Sequence, residues 1–324
     1  MTGRAGTVTH PTGTVASSIA VVTAASALTV TGAAAGRRAV GGAETPGDRG
    51  RPALIAVAHG SRDPRSAATM HAVVSDVAAA RPDLDVRLAF LDLSTPSVEQ
   101  VVDAVAADGH THAVVVPLLL GKAFHARVDL PGLLAAAGAR QRRLRLTQAD
   151  VLGPDPRLIE ALRDRVLESL TAGSSGEASH AARIDTRSLA VPRVDVDACA
   201  ASPLTSGGHL GVAVAAVGSS SAAANARTAA VARQLAARTG WDTEICFATT
   251  EPTVTTALSR LRDRGAGQLL VAPWFLAPGL LTDRLANAAS DIAHTAVIGA
   301  HPLLTQVVLD RFDTAAALPH ALTA

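Results

Sequence analysis

From Pro52 onward, short apolar runs alternate with stretches whose apolar residues recur every three or four positions. The run Leu54–Ala58 predicts a buried strand. The stretch after it carries Met70, Val73, Val74 and Val77 on one helical face and stops near Arg81-Pro82, where proline cannot continue a helix. Val86–Leu91 predicts a second strand. Ser94, Pro96, Ser97 and Glu99 open a second helix with a cap, an early proline and an early acid, and Asp108-Gly109 closes it. Ala113–Leu120 predicts a third strand, Pro131–Arg140 a third helix, Leu144–Val151 a fourth strand and Arg157–Leu170 a fourth helix. Strands alternating with helices predict a doubly wound α/β fold with a parallel sheet.

Periodicity is lost after Leu170, so 171–209 reads as a flexible linker. The pattern then recurs. Val212–Val217 followed by Gly218-Ser219 matches Val57-Ala58-His59-Gly60-Ser61, and Phe247–Pro252 echoes Phe90–Pro96. Leu269–Leu276 echoes Val114–Leu120, and Gly299–Leu304 echoes Gly153–Leu158. The division expected is therefore 52–170 and 210–316 as two similar domains, with 317–324 as a tail. Residues 1–51, rich in Ala, Thr, Gly and Val, read as a disordered or low-complexity extension. The Ser and Thr scattered between Ser17 and Thr31 make a poor secretory core and a poor membrane span, so a cytoplasmic protein is expected.

The duplication is informative where it fails. His59 falls opposite Val217, Lys122 opposite Pro278, and His125 on or beside Leu281. The second copy keeps the apolar strands and the helix-opening prolines but loses both histidines together. In a parallel sheet, residues just past the strands' carboxyl ends form the binding crevice. Neighbouring strands lie about 4.8 Å apart, so His59 and His125 can approach one another. Neutral imidazoles suit divalent iron, cobalt, nickel and zinc, and two of them leave open coordination positions.

Asp92, at the same pole, reads as a third ligand or proton acceptor, or equally as a helix-capping acid. Ser61 and Arg62 sit where a helix begins, which favours an anion. With Lys122, the chain's only lysine, and Arg127, they surround the mouth with positive charge suited to a substrate bearing several carboxylates. Asp129 is expected to pair with Arg127. His110 and His112 precede the third strand at the opposite pole and read as solvated. Cys246 reads as a small core residue, whereas His180, Cys199 and His209 are too scattered to signal a site.

Composition narrows the classes. A formal net charge of +1 over 324 residues gives no reason to expect nucleic acid, and two distant cysteines argue against a disulfide framework. No Gly-x-Gly-x-x-Gly follows the first strand and no phosphate loop is present. The residue before His59-Gly60 is Ala58, not the arginine of histidine phosphatases, and Ser61 lacks a nucleophile elbow.

Three phrases occur in order: Ala58-His59-Gly60-Ser61-Arg62-Asp63-Pro64; Ala89-Phe90-Leu91-Asp92-Leu93 with Thr95-Pro96-Ser97; and Val116-Pro117-Leu118-Leu119-Leu120 with His125 and Asp129-Leu130-Pro131. Together they closely resemble the sirohydrochlorin chelatase family, strongly over 52–170 and more weakly over 210–315. The resemblance implies a lyase with two chelatase-like domains facing a central cleft. It would insert Fe2+ (towards sirohaem) or Co2+ (towards cobalamin) into sirohydrochlorin without ATP. It also implies His59 and His125 as metal ligands, no tightly bound cofactor, and no nucleic-acid or membrane partner. The family often has glutamate where this chain has Asp92. Trp274, Phe275, Leu276, Leu280 and Leu281 are expected to form an apolar rear wall. A metal or tetrapyrrole carrier without turnover is the alternative.

Overall fold

The computed structural model describes residues 51–121, 129–178 and 209–318. Eight strands and eight helices alternate through these residues. The first half runs β1 (Ala53–Ala58), α1 (Pro64–Ala80), β2 (Val86–Phe90), α2 (Val98–Ala107), β3 (His112–Pro117), α3 (Leu130–Arg140), β4 (Arg145–Gln148) and α4 (Pro156–Ala178). The second runs β5 (Leu210–Ala216), α5 (Ala222–Thr239), β6 (Asp242–Phe247), α6 (Val254–Asp263), β7 (Gln268–Pro273), α7 (Leu280–Ala288), β8 (Ala293–His294) and α8 (Pro302–Ala316). Each half forms a four-stranded parallel sheet, in the orders β2-β1-β3-β4 and β6-β5-β7-β8. The parallel α/β duplication expected from the sequence is present.

Strand alternation sorts the core. Leu54, Ala56 and Ala58 of β1 face one layer, and Ala53, Ile55 and Val57 face the other. The second layer is closed by Val98, Val101, Val102 and Val105 of α2 with Leu130, Leu134 and Ala137 of α3. In the rear half, α6 and α7 close the matching face through Leu258, Leu261 and Leu285.

The remaining faces are covered reciprocally. Helix α8, the last of the rear half, packs on β3 and α1 of the front half; α4, the last of the front half, packs on β7 and α5 of the rear half. Both contribute to one core cluster through Ile159, Leu162 and Val166 of α4 and Leu304, Val307, Val308 and Phe312 of α8. Two equivalent arginines hold the exchange. Arg165 of α4 donates to the Ile298 carbonyl at 2.8 and 3.2 Å. Arg311 of α8 donates to the carbonyls of Val151 (3.1 Å) and Leu152 (3.3 Å) and to the Asp155 carboxylate (3.0 Å). Each half thus supplies the lid of the other's core, in the manner of a twofold self-complementary interface.

Several boundaries differ from the expectations. β3 ends at Pro117, not Leu120: Leu118 still donates to the Val57 carbonyl, but Leu119 turns back to bond the carbonyl of Pro117. β4 is shorter than predicted. The cap of α2 is Ser97, whose hydroxyl accepts from Gln100 while the Gln100 amide oxygen accepts from the Ser97 N–H; Pro96 precedes the helix. α4 continues past Leu170 to Ala178, into the stretch expected as linker. The rest of that stretch to 208, and 1–50, lie outside the described residues. No helix among the described residues is long and apolar enough to cross a membrane.

Candidate metal and substrate cleft

In a sheet of order β2-β1-β3-β4, the chain leaves β1 and β3 in opposite directions, and a crevice opens between their carboxyl ends. Val57 of β1 lies beside Pro117 of β3. His59 follows immediately after β1, and Leu118 to Gly121 follow β3.

The backbone around His59 is tightly specified. Gly60 has φ +94°, a conformation suited to glycine, and a Cβ there would stand 1.7 Å from the Asp92 carbonyl oxygen. Asp92 donates its N–H to the His59 carbonyl at 3.0 Å, and Leu91 donates to Ala58. The β2–α2 loop is therefore pinned against the His59 loop. Ser94 completes the clasp: its hydroxyl accepts from the Ser61 N–H at 3.1 Å and donates to the Ser61 carbonyl at 3.0 Å.

Two cavities meet His59. A pocket of about 220 Å³ is lined by His59, Leu91, Asp92, Asp129 and Leu133. It brings one imidazole together with two carboxylates. A far larger cleft of about 1230 Å³ separates the halves, and His59, Gly60 and Ser61 stand on its front wall. Leu118–Gly121, Gln148 and Asp150 continue that wall. The rear wall is Val217–Ser219, Trp274–Thr282 and part of α5. The volume exceeds the roughly 300–1,000 Å³ of drug-sized pockets, so the cleft suits a larger ligand.

The residues predicted from sequence are distributed as follows. His59, Asp92 and Ser61 converge at the carboxyl pole. The Ser61 hydroxyl accepts from Asp63 N–H at 3.0 Å and keeps its own proton to donate. Arg62 is exposed beside this loop and does not line the cleft. His125, Lys122 and Arg127 fall within 122–128, outside the described residues, so Asp129's expected pairing with Arg127 falls there too. Among the described residues, no group of three or more His, Cys, Asp or Glu side chains is placed to hold a metal ion.

The rear wall is less uniformly apolar than expected. Trp274 and Leu276 touch the cleft but are largely buried in the core, while Leu280 is 72% exposed. Asn225, Arg227 and Thr228 add polar groups that sequence reasoning missed. Exposed helix positions without a motif leave no signal for such groups.

At the opposite pole, His110 and His112 are partly buried and partnered, not simply solvated. His110 pairs with Asp85 at 3.0 Å; His112 bonds Thr147 at 3.0 Å and Arg145 at 2.8 Å. Cys246 is buried as predicted, and burial beside Glu244 pushes its thiol up to about 12.

Backbone equivalences support the internal comparison. Ala248 and Thr249 donate to Ala216 and Val217, as Leu91 and Asp92 donate to Ala58 and His59. Gly218, at φ +92°, matches Gly60, so Val217 occupies the place of His59. The segment from Pro273 to α7 is shorter than that from Pro117 to α3. His125 lies in the longer of these two segments.

Comparisons with known proteins agree with this architecture. The sirohydrochlorin ferrochelatase of Priestia megaterium is 31% identical over 120 residues, 36% of this chain and 44% of that protein. Its match, like that to the Bacillus subtilis ferrochelatase, spans less than half of the relative's length. The sirohydrochlorin cobaltochelatase of Priestia megaterium is 24% identical over 275 residues, 80% of this chain and 78% of that protein. Among solved structures, SirB from Bacillus subtilis with Fe3+ shares the fold with a TM-score of 0.63 at 23% identity, covering 82% of this chain and 96% of that one. The CbiX family model matches residues 53–169 and 211–315, which take in both halves of the duplication and most of the chain. The chain belongs to the CbiX family.

Proposed function

We propose that this protein is a sirohydrochlorin chelatase, a lyase that inserts Fe2+ or Co2+ into the tetrapyrrole without ATP. The observation that carries the reading is His59: an exposed imidazole at the switch point of the front sheet, on the wall of a cleft of about 1230 Å³. Relatives in the same family are named sirohydrochlorin ferrochelatase and cobaltochelatase.

In this reading the front half, 52–170, holds the metal substrate and the rear half, 210–316, covers the macrocycle. His59 and His125 present neutral nitrogens to the ion and leave its other positions to water and to the incoming pyrrole nitrogens. Insertion releases two pyrrole protons. The Asp92 carboxylate lines the same small pocket as His59, within reach of a proton leaving that region. Ser61, Lys122 and Arg127 are assigned to the carboxylate arms, and Arg62, which stands outside the cleft, is not. Val217 and Leu280, both exposed, give the flat face of the ring apolar contact. No tightly bound cofactor takes part, and the protein works in the cytoplasm, without a nucleic-acid or membrane partner.

The test is multiple-turnover insertion. Purified protein at substoichiometric concentration is mixed with sirohydrochlorin and either ferrous or cobaltous ion. Conversion of many equivalents supports the chelatase; saturation at one equivalent indicates a carrier.

A further inference from the structure

The rear half carries no counterpart of His59, yet its helix α5 is not a bland copy of α1. The two helices begin at matching positions, Pro64 and Ala222, behind matching caps, Asp63 and Ser221. With Gly60 opposite Gly218, Asn225 stands where α1 has Ala67, Arg227 where it has Thr69, and Thr228 where it has Met70. The half that lost the imidazole gained polar and cationic groups on the wall facing it.

Arg227 is the one cationic side chain among the described residues that line the cleft. It is exposed, and among the described residues it has no ion-pair partner. The arginines that join the halves are committed elsewhere: Arg65 to Asp63 and Asp283, Arg157 to Asp155 and Asp310, Arg311 to Asp155. Its neighbours are fixed by the helix and its leading loop. Asn225 donates its amide to the Ser219 carbonyl at 2.8 Å, and Thr228 donates to Ala224 at 3.2 Å. An arginine left unpaired on a cleft wall, between side chains already held in place, is suited to a carboxylate of the ligand.

We propose that Arg227 binds a carboxylate arm of the macrocycle from the rear wall, making the rear half a reader of substrate charge and not only an apolar cover. This rests on the sirohydrochlorin reading above.

The test compares the full-length wild type with Arg227→Gln and Arg227→Lys. Sirohydrochlorin affinity is read by equilibrium titration of its absorbance, and KM and kcat by metal insertion. Arg227→Gln is expected to weaken binding and raise KM about tenfold, the loss falling on KM more than on kcat, with Arg227→Lys recovering part of it. The wild-type affinity should also weaken with added salt more steeply than that of Arg227→Gln. Co2+ binding in the absence of macrocycle should be the same in all three. An Arg227→Gln affinity within about twofold of wild type overturns the proposal, as does a wild type that binds no sirohydrochlorin. If the wild type binds but does not turn over, the chelatase reading fails while the titration still decides the role of Arg227.

Discussion

Replacing Arg311 by Met probes the exchange of final helices between the halves. Methionine keeps the apolar stem that crosses from α8 to the front half and removes only the guanidinium. That group donates to the buried Val151 and Leu152 carbonyls and to Asp155, which is 6% exposed. Stranding a buried polar group costs about 1–3 kcal/mol. Asp155 keeps Arg157 as a partner, so the low end applies, about 1 kcal/mol for each acceptor and about 3 kcal/mol in all. At about 2 °C per kcal/mol for a unit of this size, Tm should fall by about 6 °C. The equivalent Arg165→Met removes two bonds to the single Ile298 carbonyl and should cost about 1–2 kcal/mol. Thermal unfolding followed by circular dichroism gives both numbers. Because one core cluster includes residues from both halves, each variant should retain a single transition. A Tm within about 1 °C of wild type for Arg311→Met, or a larger loss for Arg165→Met, would refute the reasoning.

Two further predictions concern backbone and pH. Gly60→Ala should cost roughly 2–3 kcal/mol from its left-handed conformation alone, and should abolish metal insertion by displacing Asp92 and His59. Gly218→Ala meets side chains of Thr249, Phe247 and Thr250 instead of backbone, so denaturant titration should show it the milder of the pair. His301 caps α8 by accepting the Leu303 N–H on Nδ1 at 3.2 Å, which requires the neutral ring. Burial and the Arg165 charge hold this imidazole below its ordinary value of 6.5, against the pull of Asp164 and Glu168. The folded state then binds fewer protons than the unfolded one, so this stability is complete above about pH 6.5 and is lost as pH falls through the lowered value. His301→Asn keeps a cap and removes the titration, so denaturation midpoints at pH 7.5 and 5.5 should differ less than in wild type. Equal pH dependence would contradict the assignment; His294, also lowered by burial, remains as background in both proteins.

Much of this fold is legible in the residue pattern. Met70, Val73, Val74 and Val77 repeat at helical spacing, and they are the buried face of α1. The paired glycines after β1 and β5 mark equivalent turns because both adopt positive φ. What the pattern cannot carry is the destination of a helical face. The apolar stripes of α4 and α8 are ordinary in sequence, and nothing in their periodicity says that each covers the other half's sheet. Leu118–Leu120 mislead for a related reason. Apolar character there serves the cleft wall and core, while the backbone has already turned out of the strand at Leu119. At the site, His59 was visible because the duplication lacks it in the second copy. Arg227 was not, since an exposed arginine on a helix resembles any solvated residue until the opposite wall is seen.

The central claim is that His59 delivers the metal to the macrocycle. Its most direct test is the initial rate of Co2+ insertion into sirohydrochlorin by His59→Ala beside wild type, followed by the macrocycle's absorbance at substoichiometric protein. A loss of roughly 100-fold or more, with the fold intact by circular dichroism, is the predicted result. Insertion by His59→Ala at the wild-type rate would contradict the account.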